Sequence, residues 1–255
     1  MTGTDEDSGF DLKRDLVHRD ISQLLFQVSE IVDDRTYLQH GVEVGPDDVV
    51  VDVGANVGVA AAFFAGICEV GEVHSFEPIP QNYELLLQNV SKLPAVRTYP
   101  FGLSDRARTE TFTYYEGAAA MSSAYADPER DRDLVGTVLA DLGLSQEEIA
   151  ARLDESFEPV SVECELRPLS AVIDERGIAA IDLLKIDVER AELDVLAGIE
   201  ERHWPLVRQV VAEVHDEGGG LQRARTELAS RGFSVVVDQD ERMRRTGVFV
   251  VYARR

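Results

Sequence analysis

VVVDVGANVGVAAAFFAGI, residues 49–67, is the stretch whose reading decides the fold. Its opening is a continuous apolar run, as a strand buried on both faces requires, and such strands belong to parallel sheets covered by helices. Its second half, 57–67, is a run of small and apolar residues that reads as a tightly packed helix. Gly54 and Gly58 bracket the turn between them. In an open α/β sheet that turn is where a ligand meets the backbone N–H groups of a helix start. A dinucleotide loop needs GxGxxG, its middle glycine clearing room for pyrophosphate, but here Asn56 stands at that position. Asp52 is equally awkward beside phosphate, yet it suits a ligand carrying a sulfonium and an ammonium. Asp52, Gly54, Ala55, Asn56 and Gly58 are therefore the first candidate cofactor residues.

Working outward, strands and helices alternate. Leu16, Ile21, Leu24, Leu25, Val28 and Ile31 predict an N-terminal helix over 14–32. Strands are expected at 72–77, 96–102, 109–115, 161–169, 181–187, 208–215, 233–238 and 247–253, and helices at 80–92, 170–176, 190–199 and 220–231. The pattern predicts an α/β fold: a doubly wound, mainly parallel seven-stranded sheet. The last two strands are joined by too short a loop for a helical crossover, so they should form an antiparallel hairpin at the sheet edge. Residues 1–44 read as a helical cap and 45–255 as the main domain. Within it, 116–159 breaks the alternation, with a GAAAMSSAY loop and two amphipathic helices over 129–154 that read either as a lid over the pocket or as a surface excursion. Glu77 ends the second strand 23 residues after Gly54, where a carboxylate accepts ribose hydroxyls, and Ser104 and Asp105 end the third, beside an adenine edge.

Composition narrows the function classes. With 44% hydrophobic residues the chain supports a sizeable core, and no apolar run approaches the length of a membrane span. A formal charge of −23 repels phosphate backbones and anionic lipid, so neither nucleic acid nor membrane is an expected partner. Arg242, Arg244 and Arg245 are diluted by flanking acids and read as a solvated loop rather than a docking patch. The acidic start, MTGTDEDSGFDLKRD, lacks the features of a secretory signal, and Cys68 and Cys164 read as reduced thiols, so the expected location is cytoplasmic.

The blocks VVVDVGANVG (49–58), HSFEPIPQNYELLLQNV (74–90), LLKIDVERAELDVLAGIE (183–200) and VVAEVH (210–215) resemble the FkbM-type S-adenosylmethionine-dependent methyltransferases. The likeness runs over about 45–253. It implies a class I, Rossmann-like methyltransferase fold with S-adenosyl-L-methionine at the first turn. It also implies an acceptor hydroxyl on a polyketide, peptide or sugar scaffold, as in antibiotic biosynthesis. TGVFVVYARR at the end is similar to the close of O-methyltransferase domains in modular synthases. One departure stands out: the family commonly reads KIDVEG, and this chain has Arg190 in place of the glycine.

Methyl transfer from a sulfonium is an in-line displacement that also removes the acceptor proton. Strand alternation places Lys185 with Asp187, and Glu213 with His215, at the ends of expected neighbouring strands. Lysine occurs only at 13, 92 and 185, and Lys185 inside an apolar strand should pair with Glu213 or Asp187. His215 is the expected general base, its ordinary pKa lying near neutrality. Asp187 is the alternative, either as base and cofactor contact or, with Glu189, Glu213 and Asp216, as a Mg²⁺ ligand; the metal-free reading is preferred. His74 and His203 read as packing residues. Tyr37 and Gln39 are placed to close over the cofactor, and Met121, Ser122, Ser123 and Tyr125 to line the acceptor pocket. The acceptor is a small molecule or is bound to a carrier protein, and oligomeric state is left open. The competing readings are a nicotinamide dehydrogenase and a silent cofactor-binding module.

Overall fold

The structure, a computed structural model, describes residues 12–255. The acidic start to Asp11, on which the reading of the N-terminus rests, lies outside the described residues. The expected single helix over 14–32 is two helices, α1 (Leu12–Asp15) and α2 (Ile21–Val28), with a π-helical turn Ser29–Asp33 after them. Asp20 makes the break, its side chain accepting from the N–H groups of Ser22 and Gln23 to cap α2. Leu16, Leu24, Val28 and Ile31 are buried against Phe63 and Phe64.

The remaining order is β1 (Val49–Val53), α3 (Val59–Gly66), β2 (Glu72–Phe76), α4 (Pro80–Asn89), β3 (Val96–Tyr99), β4 (Gly102–Leu103), β5 (Arg108–Tyr115), α5 (Pro128–Asp141), α6 (Gln146–Ser156), β6 (Pro159–Arg167), α7 (Leu169–Arg176), β7 (Leu183–Ile186), α8 (Glu192–Ala197), β8 (Gln209–His215), α9 (Gly220–Ser230), β9 (Ser234–Asp238) and β10 (Val248–Arg254). Seven strands form the main sheet in the order β3-β2-β1-β7-β8-β10-β9. The first five of that order run parallel, and β10 is antiparallel to both β8 and β9, which is the expected edge hairpin. Alternation along β1 sends Val50 into one core and Val51 and Val53 into the other, so the sheet is covered on both faces. The strand order reverses between β1 and β7, and the crevice beyond their carboxyl ends is where such folds bind ligands.

One part of the strand reading is corrected. The third main strand ends at Tyr99, and β4, β5 and β6 form a second sheet in the order β4-β6-β5. β5 and β6 pair antiparallel from Arg108↔Leu166 to Tyr115↔Pro159, so they are the stem of a hairpin that carries the insertion at its tip. Within the insertion, Asp127 caps α5 with Pro128 in its first turn, and a Ser145/Glu148 capping box starts α6. Among the described residues no helix is long and apolar enough to cross a membrane.

Candidate active site

The turn after β1 is built for close approach. Gly54 has φ +79°, and a Cβ there would lie 1.8 Å from the Asp187 carbonyl oxygen, so a side chain cannot be accommodated. The Gly54 and Ala55 N–H groups both donate to the Phe76 carbonyl, which ties the loop to the end of β2. Asn56 follows with φ +49°, and its N–H donates to Glu77 Oε2 at 2.8 Å. The Ile79 N–H donates to Oε1 of the same carboxylate at 2.9 Å. Burial pushes the Glu77 pKa up to about 7 against these hydrogen bonds. Asn56 Oδ1 and Asn82 Oδ1 are buried with no hydrogen-bond partner among the described residues, and both residues line the cleft beside Glu77. Such orphaned acceptors fit a ligand that brings hydroxyl or amino donors.

Asp52 does not face that cleft. It is fully buried, 3.0 Å from Lys185 Nζ on the adjoining strand, and accepts a hydrogen bond from Ser75. The β1–β7 register sets Asp52 opposite Lys185, so Asp52, not Glu213, is the lysine's main partner, with Asp187 at 3.7 Å. Lys185 Nζ also donates to the Gly54 carbonyl at 2.8 Å. Burial alone would lower the Lys185 pKa, and the carboxylates of Asp52 and Asp187 more than reverse this, holding it above the ordinary value. The lysine is thus a rivet between two strand ends and the turn, and Asp52 is a structural acid rather than a cofactor contact.

Beyond the turn, acidic side chains converge. Asp187 accepts from the Tyr37 hydroxyl at 2.9 Å. Glu30, from the π-helical turn after α2, is pushed up to about 7 by burial and by Asp187. Burial, then Asp187 and Glu30, drives Glu213 well above the ordinary carboxyl range, and burial raises Glu189 as well. His215 lies among them, with Nε2 3.2 Å from Glu189 and Nδ1 3.2 Å from Glu192. Burial would lower its pKa, but the two glutamates outweigh that and raise it well above the usual histidine value. Both ring nitrogens are thus committed to carboxylates, an arrangement that favours the protonated ring. A ring engaged at both nitrogens has none free to face an acceptor hydroxyl in this geometry.

A family model for the methyltransferase FkbM domain matches residues 52–235. The chain belongs to the FkbM methyltransferase family. This FkbM-family methyltransferase is 42% identical over 245 residues to 31-O-demethyl-FK506 methyltransferase FkbM of Streptomyces tacrolimicus, covering 94% of this chain and 93% of the relative. It is 36% identical to AMB antimetabolite synthetase AmbE of Pseudomonas aeruginosa across 91% of its own length but only 12% of that protein. Among solved structures, the FkbM methyltransferase of Methylobacillus flagellatus KT has the same fold at a TM-score of 0.52 with 14% identity, covering 95% of this chain and 56% of the other.

In this methyltransferase the cleft brings together Gly54, Ala55, Asn56, Glu77, Ser104 and Asp187 from the expected cofactor set. Gly58 instead lets α3 pack on α4, since a Cβ there would lie 2.8 Å from Leu86. Ser104 follows β4 of the second sheet rather than the third main strand, and the Asp105 carboxylate is taken by Arg106 and Arg108. Met121, Ser122 and Tyr125 line the cleft, whereas Ser123 is buried and pairs through its backbone with Thr113. Tyr37 lines the cleft; Gln39 instead donates to the Asp34 carbonyl. Of the expected metal set, Glu189 and Glu213 converge with His215, their ligand atoms within 4.8 Å of one another, while Asp216 caps the start of α9 through the Leu221 N–H. Sequence reading missed Glu30, Asn82 and Glu192. Glu192 carried a signal, because it follows LLKID by a few residues and so must lie at the same sheet end as His215.

Proposed function

We propose that this methyltransferase moves the methyl group of S-adenosyl-L-methionine to a hydroxyl of a specialised-metabolite acceptor. The observation that carries the reading is the division of one cleft into two chemistries. The Glu77 carboxylate, aimed by two backbone N–H groups, stands with the partnerless carbonyl oxygens of Asn56 and Asn82, a set that suits ribose hydroxyls and an adenosyl edge. Asp187 and Glu213 share the cleft with apolar side chains that include Phe26, Met121, Leu134 and Met243, which suit a largely apolar acceptor. In the reaction the acceptor oxygen attacks the methyl carbon, the carbon–sulfur bond breaks to leave a neutral thioether, and the hydroxyl proton passes to a carboxylate. Asp187 is our choice of base, since its side chain is 28% exposed and opens on the cleft, in contrast to the doubly engaged His215.

A divalent cation on Glu189, Glu213 and His215 is a second reading, supported by the convergence of their ligand atoms; it would acidify a hydroxyl bound to it. We take the acceptor to be a free small molecule. The basic loop is self-paired, Arg242 with Asp34 and Asp240, Arg244 with Glu241 and Arg245 with Asp141, so this loop offers no unpaired arginines to an acidic carrier protein. The test is calorimetry with S-adenosylmethionine, S-adenosylhomocysteine and NADH. A panel of hydroxyl acceptors including 31-O-demethyl-FK506 follows, read by mass spectrometry with and without chelator. Binding of NADH in preference to the adenosyl ligands, or methylation of nitrogen or carbon alone, overturns the proposal.

A further inference from the structure

The loop after β7 holds two successive non-glycine residues in left-handed conformation, Glu189 at φ +51° and Arg190 at φ +72°. Such backbone costs an ordinary residue about 1–2 kcal/mol, so something must hold it. The Arg190 side chain is only 8% exposed, and its guanidinium bridges two acids that belong to different parts of the chain. Nη1 lies 2.6 Å from Asp131 Oδ1 on α5 of the insertion, and Nε donates to Glu217 after β8 at 2.8 Å. Asp131 is fully buried, and its other oxygen accepts from the Tyr115 hydroxyl, at the end of the hairpin stem, and from the Asp127 N–H. Glu217 also receives Arg130 of α5 at 2.9 Å. The backbone end of Arg190 is tied as well: its N–H donates to Glu192 Oε1, the same oxygen that faces His215 Nδ1.

We propose that Arg190 is a positioning residue that latches the helical insertion onto the catalytic loop, setting the acceptor cover over Asp187 and Glu189. The meaning of the latch for the acceptor rests on the methyl-transfer reading above, but the latch itself does not. Hydrogen exchange on the full chain, with neither cofactor nor acceptor, tests it independently of activity. Arg190→Met should speed exchange across Pro128–Ser156 by roughly 10- to 100-fold, the effect of breaking one buried charge pair locally, while β1 and β7 keep wild-type protection. Arg190→Lys should restore part of that protection, because an ammonium keeps the charge but not the fork that spans Asp131 and Glu217. Arg190→Gly relaxes the backbone and removes the guanidinium, so it should match Arg190→Met in the insertion. Glu217→Gln, at a half-exposed site, guards against misfolding of the other variants and should give a smaller rise in the same segment. Wild-type exchange of the insertion in Arg190→Met or Arg190→Gly, or an equal rise over the whole chain, overturns the latch.

Discussion

Replacing Glu77 by Gln removes one carboxylate oxygen from a side chain that uses both. Each oxygen receives one backbone N–H, from Asn56 at 2.8 Å and from Ile79 at 2.9 Å. The incoming amide nitrogen must face one of those donors, which leaves a buried N–H unsatisfied and costs about 1–3 kcal/mol of loop stability. Losing the charge also weakens the hydrogen bonds offered to ribose, so affinity for S-adenosylhomocysteine should fall by about 2–4 kcal/mol, roughly 30- to 1000-fold. The pH dependence provides a second readout. In the ligand-free protein Glu77 is raised from 4.5 to about 7, so between those values the folded chain binds more protons at this group than the unfolded chain does. Its contribution to stability is therefore fully present below about pH 4.5 and is lost as pH rises through 7, at up to about 1.4 kcal/mol per unit. Ribose hydroxyls donate to the ionised form, so binding must expel that proton, and affinity should climb with pH up to about 7 and then level. Calorimetry at steps between about pH 5.5 and 7 measures the climb, which Glu77→Gln should abolish. Affinity that is flat with pH in the native protein, or equal in the variant, would refute the assignment.

Asp187→Asn should lower kcat by roughly 10²- to 10⁴-fold, the range for a lost general base, with adenosyl-ligand affinity changed far less; near-normal turnover on an authentic acceptor would move the base elsewhere. His215→Gln should reduce kcat by less than that range and leave the pH profile in place, while destabilising the fold by about 3–5 kcal/mol because Glu189 and Glu192 lose their shared cation; a shifted or flattened profile would restore His215 as the base. Lys185→Met should cost a similar about 3–5 kcal/mol in urea denaturation, since Asp52 is left fully buried without a counter-charge, and the added loss of Asp52→Asn should be small in that background.

Much of the fold was legible because the informative patterns are local. A continuous apolar strand, a glycine turn and a small-residue helix sit side by side in 49–67, and the short loop between β9 and β10 forces a hairpin. The second sheet was not legible. Residues 109–115 and 161–169 read as ordinary strands, and only their pairing across the intervening insertion, from Arg108↔Leu166 outward, separates them from the main sheet. The N-terminal helix was misread for a local reason: apolar spacing continues through Asp20, whose capping of Ser22 and Gln23 starts a new helix inside the pattern.

The site divides along the same line. Gly54 and Glu77 follow from strand-end position alone, since the first must admit the Asp187 carbonyl and the second ends the neighbouring parallel strand. Roles that depend on which charge faces which could not be reached that way. Asp52 and Lys185 sit opposite one another only through the β1–β7 register, and Glu30 enters from the π-helical turn after α2, far from both strands in sequence. His215 shows the consequence most sharply. The sequence alone places it at a strand end with an ordinary pKa near neutrality, but Glu189 and Glu192 both follow β7, β7 and β8 are parallel neighbours, and the loop returns one acid to each ring nitrogen. One carboxylate orients an imidazole and leaves its second nitrogen free for a proton, whereas two engage both nitrogens and favour the charged ring. The proposal that Asp187, rather than the histidine, takes the acceptor proton follows from this arrangement.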